Sequence, residues 1–121
     1  MGLIRKDVNF RSLEKKRWHK VRVLVDTGAS FSLLPSDLAK RIGLDPSEKQ
    51  FKVQLANGRA IRVGADTGVV RIDGRQAPAT IMIGDAAEPL LGAETLEALG
   101  VSIDMKHGRF VPTRSYAIRL G

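Results

Sequence analysis

Short apolar segments in which every second residue is hydrophobic recur along the chain, separated by turn-forming residues. This period of two is typical of β-strands with one buried face, and it is clearest over residues 18–25, where Val21, Val23 and Val25 share a face. A weaker alternation over residues 3–10 predicts an edge strand. Further strands are predicted over 51–55, 60–63, 69–72, 79–83, 101–104 and 109–111. The pattern therefore indicates a β-rich domain.

Two segments carry the signals of short helices. Ser36 is a favourable N-cap for a helix over residues 37–42, and Gly43 is suited to end it. A second short helix is predicted over residues 94–99, before Gly100. Helices this short occupy little of the chain, so the strands decide the fold class.

Three tight turns join predicted strands. Asn57-Gly58, between two apolar runs, is a strong signal for a hairpin. The other two turns are predicted at residues 73–75 and 106–108. Sequential strands joined by tight turns pair with opposite directions, so we expect a mostly antiparallel sheet.

The composition limits both the size and the chemistry of the protein. A chain of 121 residues that is 43% hydrophobic suits one domain over residues 1–121. It has no cysteine and two histidines, His19 and His107, that lie far apart and lack metal-ligand spacing. We therefore expect no thiol nucleophile, no metal and no other cofactor.

The net charge of +7 could attract a polyanion, and the basic residues concentrate between Arg11 and Arg22. Trp18 is the only aromatic residue in that stretch, which disfavours nucleic acid as a partner. The N-terminal residues lack the apolar core of a signal peptide, and no apolar run is long enough to span a bilayer. We expect a cytoplasmic protein without a membrane partner.

The strongest candidate for chemistry is Asp26, where an apolar strand runs directly into a carboxylate followed by Thr27 and Gly28. An aspartate in a turn often only bonds its own backbone, so a purely structural role is the alternative. The same tripeptide recurs at residues 66–68, but there it continues into a strand. We interpret Asp66 as a solvated strand residue.

Residues 24–30, Leu-Val-Asp-Thr-Gly-Ala-Ser, resemble the active-site signature of retropepsin-like aspartic proteases. Residues 90–96, Leu-Leu-Gly-Ala-Glu-Thr-Leu, resemble the apolar pair and glycine that precede the C-terminal helix in that family. The Asn57-Gly58 hairpin lies between them, where the family has its flap. The resemblance extends over residues 3–112 and is greatest to small cellular or prokaryotic members. It implies an all-β, mostly antiparallel retropepsin-like acid-protease fold and a homodimer.

The resemblance also implies an activity, the hydrolysis of peptide bonds by water that two Asp26 carboxylates activate, one from each subunit. Thr27, Gly28 and Ala29 would support the active-site turn, with the Thr27 hydroxyl bonding across the dimer axis. Leu90 and the loop 85–88 would form a wall of the cleft. The residues expected to serve in the flap and contact substrate are Ala56, Asn57 and Gly58.

Two other functions are compatible with the same sequence. One is a retropepsin-like domain that dimerises or binds peptides without cleaving them. The other is a basic β-domain that binds nucleic acid, although the sparse aromatic residues disfavour it. Loss of peptide cleavage on mutation of Asp26 would separate the protease from both.

Overall fold

The computed structural model of the protein describes residues 3–47, 49–54 and 57–113. In this part of the chain, strands dominate and two short helices are present. The elements in chain order are β1 (Arg5–Ser12), β2 (His19–Val25), β3 (Ser32–Pro35), α1 (Ser36–Ile42), β4 (Lys49–Gln54), β5 (Ala60–Ile72), β6 (Arg75–Gly84), β7 (Leu90–Leu91), α2 (Ala93–Leu99), β8 (Val101–Asp104) and β9 (Arg109–Pro112). No helix in the described ranges is long and apolar enough to cross a membrane.

Six strands close into a barrel in the order β1-β2-β7-β3-β6-β5, because β5 pairs again with β1. Strand β1 pairs with β2 from Arg5 to Phe10 and with β5 from Asn9 to Ser12. The prediction of an edge strand over residues 3–10 is therefore wrong. Closure removes the edge because the long β5 curves around to meet β1, a distant pairing that local alternation does not reveal.

The barrel encloses a core of aliphatic side chains and one aromatic ring. The alternation predicted for β2 is confirmed, since Val21, Val23 and Val25 are all buried. Phe10 and Leu34 are among the largest side chains that lose almost all contact with water. Burial of such apolar area is the main stabilising contribution to a domain of this size.

Strand β5 is one continuous element of 13 residues, whereas the sequence predicts two strands there. Gly64 and Gly68 interrupt the hydrophobic pattern, so the sequence does not predict a strand in the middle of β5. Gly64 is required by close packing, because a Cβ at this position would lie 2.2 Å from the carbonyl oxygen of Pro46. The first half of β5 pairs with β4 in a projecting hairpin, and the second half belongs to the barrel.

Asp66 lies in the middle of β5 and is half-buried. Its carboxylate accepts hydrogen bonds from the backbone N–H groups of Asp45 and Thr67, both at 2.8 Å. The prediction of a strand residue is confirmed, but the carboxylate is engaged with the loop after α1 instead of standing free in solvent. This position is structural.

Two parallel pairings inside the otherwise antiparallel sheet position the end of β2. Leu24 and Val25 of β2 pair with the two residues of β7, and β3 runs parallel to the end of β6. Because parallel neighbours end at the same side of a sheet, the turn after β2 and the start of α2 after β7 come together.

Helix α1 differs from its prediction at one end. It starts at Ser36, its N-cap is Pro35 and no side chain caps it, so the prediction of Ser36 as the N-cap is wrong. Pro35 is the last residue of β3 and already has the extended backbone of a cap position. The predicted end is confirmed, because Gly43 adopts the left-handed conformation at φ 101°. Gly100 ends α2 in the same way.

Candidate active site

The turn after β2 holds Asp26 at the end of a buried strand. The Asp26 backbone N–H donates to the carbonyl of Leu91 at 2.9 Å, which continues the parallel pairing by one residue. The Asp26 carbonyl accepts from the N–H of Ala29 at 3.1 Å and closes a tight turn. The backbone of this aspartate is therefore held both by its own turn and by β7.

The carboxylate of Asp26 is half-buried and is oriented by the glycine two residues later. Its Oδ1 accepts a hydrogen bond from the Gly28 N–H at 3.0 Å. A Cβ on Gly28 would lie 3.3 Å from that same oxygen, closer than almost all real contacts of this kind. The bond to the local backbone considered as the alternative role is thus present, and a glycine is what lets the backbone approach the acid so closely.

The start of helix α2 is hydrogen-bonded to the end of the loop that follows Asp26. The N–H groups of Ala93 and Glu94 donate to the carbonyls of Ala29 and Ser30, at 2.8 and 2.9 Å. Gly92 allows this contact, because a Cβ there would lie 2.4 Å from the carbonyl oxygen of Phe31. The two sequence segments that carry the family resemblance therefore meet backbone to backbone.

A buried pair of hydroxyls, which the sequence did not single out, joins β3 to α2. Ser32 Oγ and Thr95 Oγ1 are 2.6 Å apart, and neither residue is exposed to water. Ser32 Oγ also accepts from the N–H of Gly92 at 3.1 Å. The available signal was a serine at an inward position of an apolar strand, next to Leu33 and Leu34, which a buried partner must satisfy.

A groove of about 720 Å³ opens beside Asp26. Its walls are mostly apolar, and among the described residues that line it only Asp26 and Lys52 are ionisable. Leu90, which the family resemblance predicts in a wall of the cleft, lines this groove from the barrel. Further apolar side chains come from the β4–β5 hairpin, namely Phe51, Val53, Ile61 and Val63.

The β4–β5 hairpin covers the groove, and Asn57 and Gly58 lie at its tip. Asn57 Oδ1 accepts from the N–H of Arg59 at 3.0 Å, and Gly58 has a left-handed backbone at φ 85°. Neither Asn57 nor Gly58 is among the residues that line the groove. Ala56, the third predicted flap residue, lies outside the described residues.

Two other predicted site features lie away from the groove. Thr27 is exposed and borders a second, shallow cleft formed with α2 and β8, where Leu96 and Ile103 are its neighbours. The loop 85–88 does not line the groove. Its Glu88 instead makes a two-pronged hydrogen bond to Arg5 at 3.0 and 3.1 Å, which raises the pKa of the arginine.

Comparison with known protein families assigns residues 17–98 to the family described as "gag-polyprotein putative aspartyl protease". The chain belongs to this family. The match begins just before β2 and ends within α2, so it includes Asp26, the hairpin and the glycine before α2. The chain is thus a retropepsin-like aspartic protease by family.

Among solved structures, the chain is similar to the EIAV protease in complex with the inhibitor HBY-793. The two share 18% sequence identity at a TM-score of 0.63, over 85% of this chain and 93% of the viral one. At this identity the likeness concerns the fold, and it places the barrel among retroviral protease folds. No curated protein sequence matches the chain.

Proposed function

We propose that the protein is an aspartic endopeptidase that acts as a homodimer. The observation that carries the proposal is the position of Asp26, which lies in the floor of an apolar groove beneath a hairpin. Among the described residues no second carboxylate lines this groove. Hydrolysis by paired carboxyls therefore needs a second acid from outside the chain, and an identical chain would supply it.

Two Asp26 carboxyls at a twofold axis would share one proton. Like charges a few ångströms apart disfavour the doubly ionised state, so the two ionisations separate and one carboxyl stays protonated. The ionised carboxyl takes a proton from a water molecule, which attacks the peptide carbonyl. The protonated carboxyl polarises that carbonyl and later delivers a proton to the leaving nitrogen.

The surroundings of Asp26 support a partner at this side of the molecule. Thr27 is exposed beside it, bordering the cleft with α2 and β8. A self-complementary contact around a twofold axis would bring this surface against its own copy. The Thr27 hydroxyl would then bond across the axis, and the two Asp26 side chains would face each other.

The shape of the groove suits an extended peptide with bulky apolar residues. Phe31 and Phe51 are 42% and 44% exposed on opposite sides of the groove, one from the active-site loop and one from the hairpin. Exposed aromatic rings of this kind bury large areas when a ligand covers them. We infer that they contact the substrate residues nearest the cleaved bond.

The decisive experiment replaces Asp26 with asparagine. The purified protein is incubated with a diverse peptide mixture from acidic to neutral pH, and the products are identified by mass spectrometry. Asp26→Asn keeps an oxygen for the Gly28 N–H but cannot act as a base, so cleavage should fall by a factor of about 10² to 10⁴.

The chain supplies a matched control in its second Asp-Thr-Gly tripeptide. Asp66→Asn keeps an oxygen for only one of its two backbone donors, Asp45 and Thr67, so its stability is measured as well. Cleavage per folded molecule of this variant should equal that of the unchanged protein. Equal cleavage by Asp26→Asn would refute the protease proposal. Tight peptide binding with no cleavage by either protein would instead support the peptide-binding domain.

A further inference from the structure

The hairpin above the groove carries charge of one sign only. Residues 49–65 contain Lys49, Lys52, Arg59 and Arg62 and no aspartate or glutamate. All four basic residues are exposed, and none forms an ion pair with a carboxylate among the described residues. By contrast, both Arg5 and Arg22 on the barrel have acidic partners.

The pairing of β4 with β5 places two of these charges against each other. Lys52 stands directly opposite Arg62 in the ladder, so both side chains project from the same face of the hairpin, the face opposite to that of Phe51 and Val63. Like charges at directly opposed positions of an antiparallel pair destabilise it. This pair therefore adds positive charge to the outer face of the hairpin, away from the apolar side chains that line the groove.

The other two charges lie at the ends of the hairpin. Lys49 starts β4 near the barrel, where it pairs with Ala65, and Arg59 follows the turn at Asn57 and Gly58. Apolar side chains that face the groove occupy the middle. An extended peptide in the groove would therefore meet hydrophobic walls at its centre and positive charge towards its ends.

We propose that the substrates are peptides with bulky apolar residues at the cleaved bond and acidic residues on both sides of it. This inference rests on the proposed protease function, because a twofold dimer would place one basic hairpin over each half of the substrate. Attraction between unlike charges speeds encounter and strengthens binding of the acidic substrate.

The test compares two peptides with the same apolar centre, one flanked by two glutamates on each side and one by two lysines on each side. The assay is run at a pH of about 6, at which the glutamates of the peptide are ionised. At an ionic strength of about 0.01 M, kcat/KM for the acidic peptide should be roughly tenfold higher or more. The preference should shrink as salt is added, because salt screens exposed charges.

Charge reversal on the hairpin should reverse the preference. The double variant Lys49→Glu, Arg59→Glu, which changes the two charges on the groove side of the hairpin, should favour the lysine-flanked peptide, with the change mainly in KM. The control double variant Lys16→Glu, Arg17→Glu makes the same change of charge in the exposed loop between β1 and β2, and it should retain the original preference.

The outcomes separate this inference from the proposed function. If both peptides are cleaved equally well and Asp26→Asn abolishes the cleavage, the protein is a protease without the proposed selectivity. The basic residues would then only guard the open edge of β4 against pairing with other chains. If the hairpin variant and the loop variant change the preference equally, the overall charge decides it and the hairpin is not the determinant. If neither peptide nor any member of a diverse mixture is cleaved, the proposed function itself fails.

Discussion

At the scale of single residues, the site depends on how closely the backbone approaches the Asp26 carboxylate. The Gly28 N–H is 3.0 Å from Oδ1, and the position of a Cβ on that glycine is only 3.3 Å away from it. The backbone of Gly28 is not left-handed, so a side chain there would be disfavoured by its short contact with the carboxylate and not by the backbone conformation. Gly28 therefore matters mainly for the position of the Asp26 carboxylate and less for the backbone conformation of the turn.

Gly28→Ala should reduce cleavage far more than it reduces stability. The added methyl group pushes the carboxylate by a few tenths of an ångström, and catalysis is sensitive to small displacements of a reacting group. We expect kcat/KM to fall by roughly tenfold or more, with a change in the free energy of unfolding of about 1 kcal/mol. Peptide kinetics and denaturant unfolding of the same sample check this, and unchanged kinetics would contradict the role given to Gly28.

At the scale of elements, the turn that holds Asp26 is supported by contacts between β3 and α2. The buried hydroxyls of Ser32 and Thr95 are hydrogen-bonded to each other, and Ser32 Oγ also accepts a hydrogen bond from the N–H of Gly92. All buried polar side-chain atoms of the described residues have a partner. Removing one member of this group leaves others unsatisfied in a fully buried site.

Ser32→Ala should destabilise the protein more than Thr95→Val does. The serine variant leaves both a hydroxyl and a backbone N–H without a partner, whereas the valine variant leaves one hydroxyl, at a cost of about 1 to 3 kcal/mol for each orphaned group. The double variant should cost less than the sum of the two single ones, since the hydroxyls are direct partners. Urea unfolding of the four proteins measures this, and additive costs would contradict the pairing.

The turn between β8 and β9 contains the clearest electrostatic effect among the elements. Asp104 accepts a hydrogen bond from the His107 side chain at 2.7 Å, which is the main cause of a lowered pKa of this aspartate. Backbone N–H groups of His107 and Lys106 also donate to its carboxylate. These bonds favour the ionised form of the acid.

Stability of this hairpin should therefore decrease as the solution becomes acidic. The folded-state pKa of Asp104 lies below the ordinary value, so its contribution is fully present above that value and is lost as the pH falls through the lowered pKa. An NMR titration of the Asp104 carboxyl carbon should give the low pKa, and His107→Gln should move it back towards the ordinary range. An unchanged pKa in that variant would rule out His107 as the main cause.

At the scale of the whole molecule, the barrel supplies half of the proposed catalytic pair. Closure by β1 and β5 leaves the β4–β5 hairpin as a projection over the groove, with Asp26 among the residues that line the groove. Each subunit with this fold would contribute one acid, Asp26, and one covering hairpin, β4–β5. Under the proposed function, cleavage would require two copies, and activity should depend on how many protomers carry the intact acid.

Mixing experiments test this dependence. When unchanged protein and Asp26→Asn protein are combined in equal amounts and allowed to exchange subunits, about a quarter of the dimers have two intact acids. Activity should fall to about a quarter of that of the same total amount of unchanged protein, and a monomeric enzyme would retain about half. Dilution should lower the activity per molecule, and a specific activity independent of concentration would contradict the dimer.

The sequence by itself determined the local features of this protein. Alternation predicted β2 and its buried face, the Asn57-Gly58 signal predicted the hairpin, and glycines at positions 43 and 100 predicted the helix ends. These succeed because side-chain direction and backbone conformation depend on neighbouring residues. The motif around Asp26 also identified the family, because a tight turn that presents a carboxylate constrains residues adjacent in the chain.

Only the tertiary structure decided which distant residues meet. The second pairing of β1 and the bond between Ser32 and Thr95 join residues far apart in sequence, and β5 stays continuous through two glycines because it pairs with distant strands. Spacing carries no signal for such contacts, since they arise when the barrel closes and the core packs. The tertiary structure also decided the partners of two acids: Glu88 accepts hydrogen bonds from Arg5, and Asp66 accepts one from the loop after α1. Polar groups bond to whichever partners the fold places next to them, and the sequence does not reveal those partners.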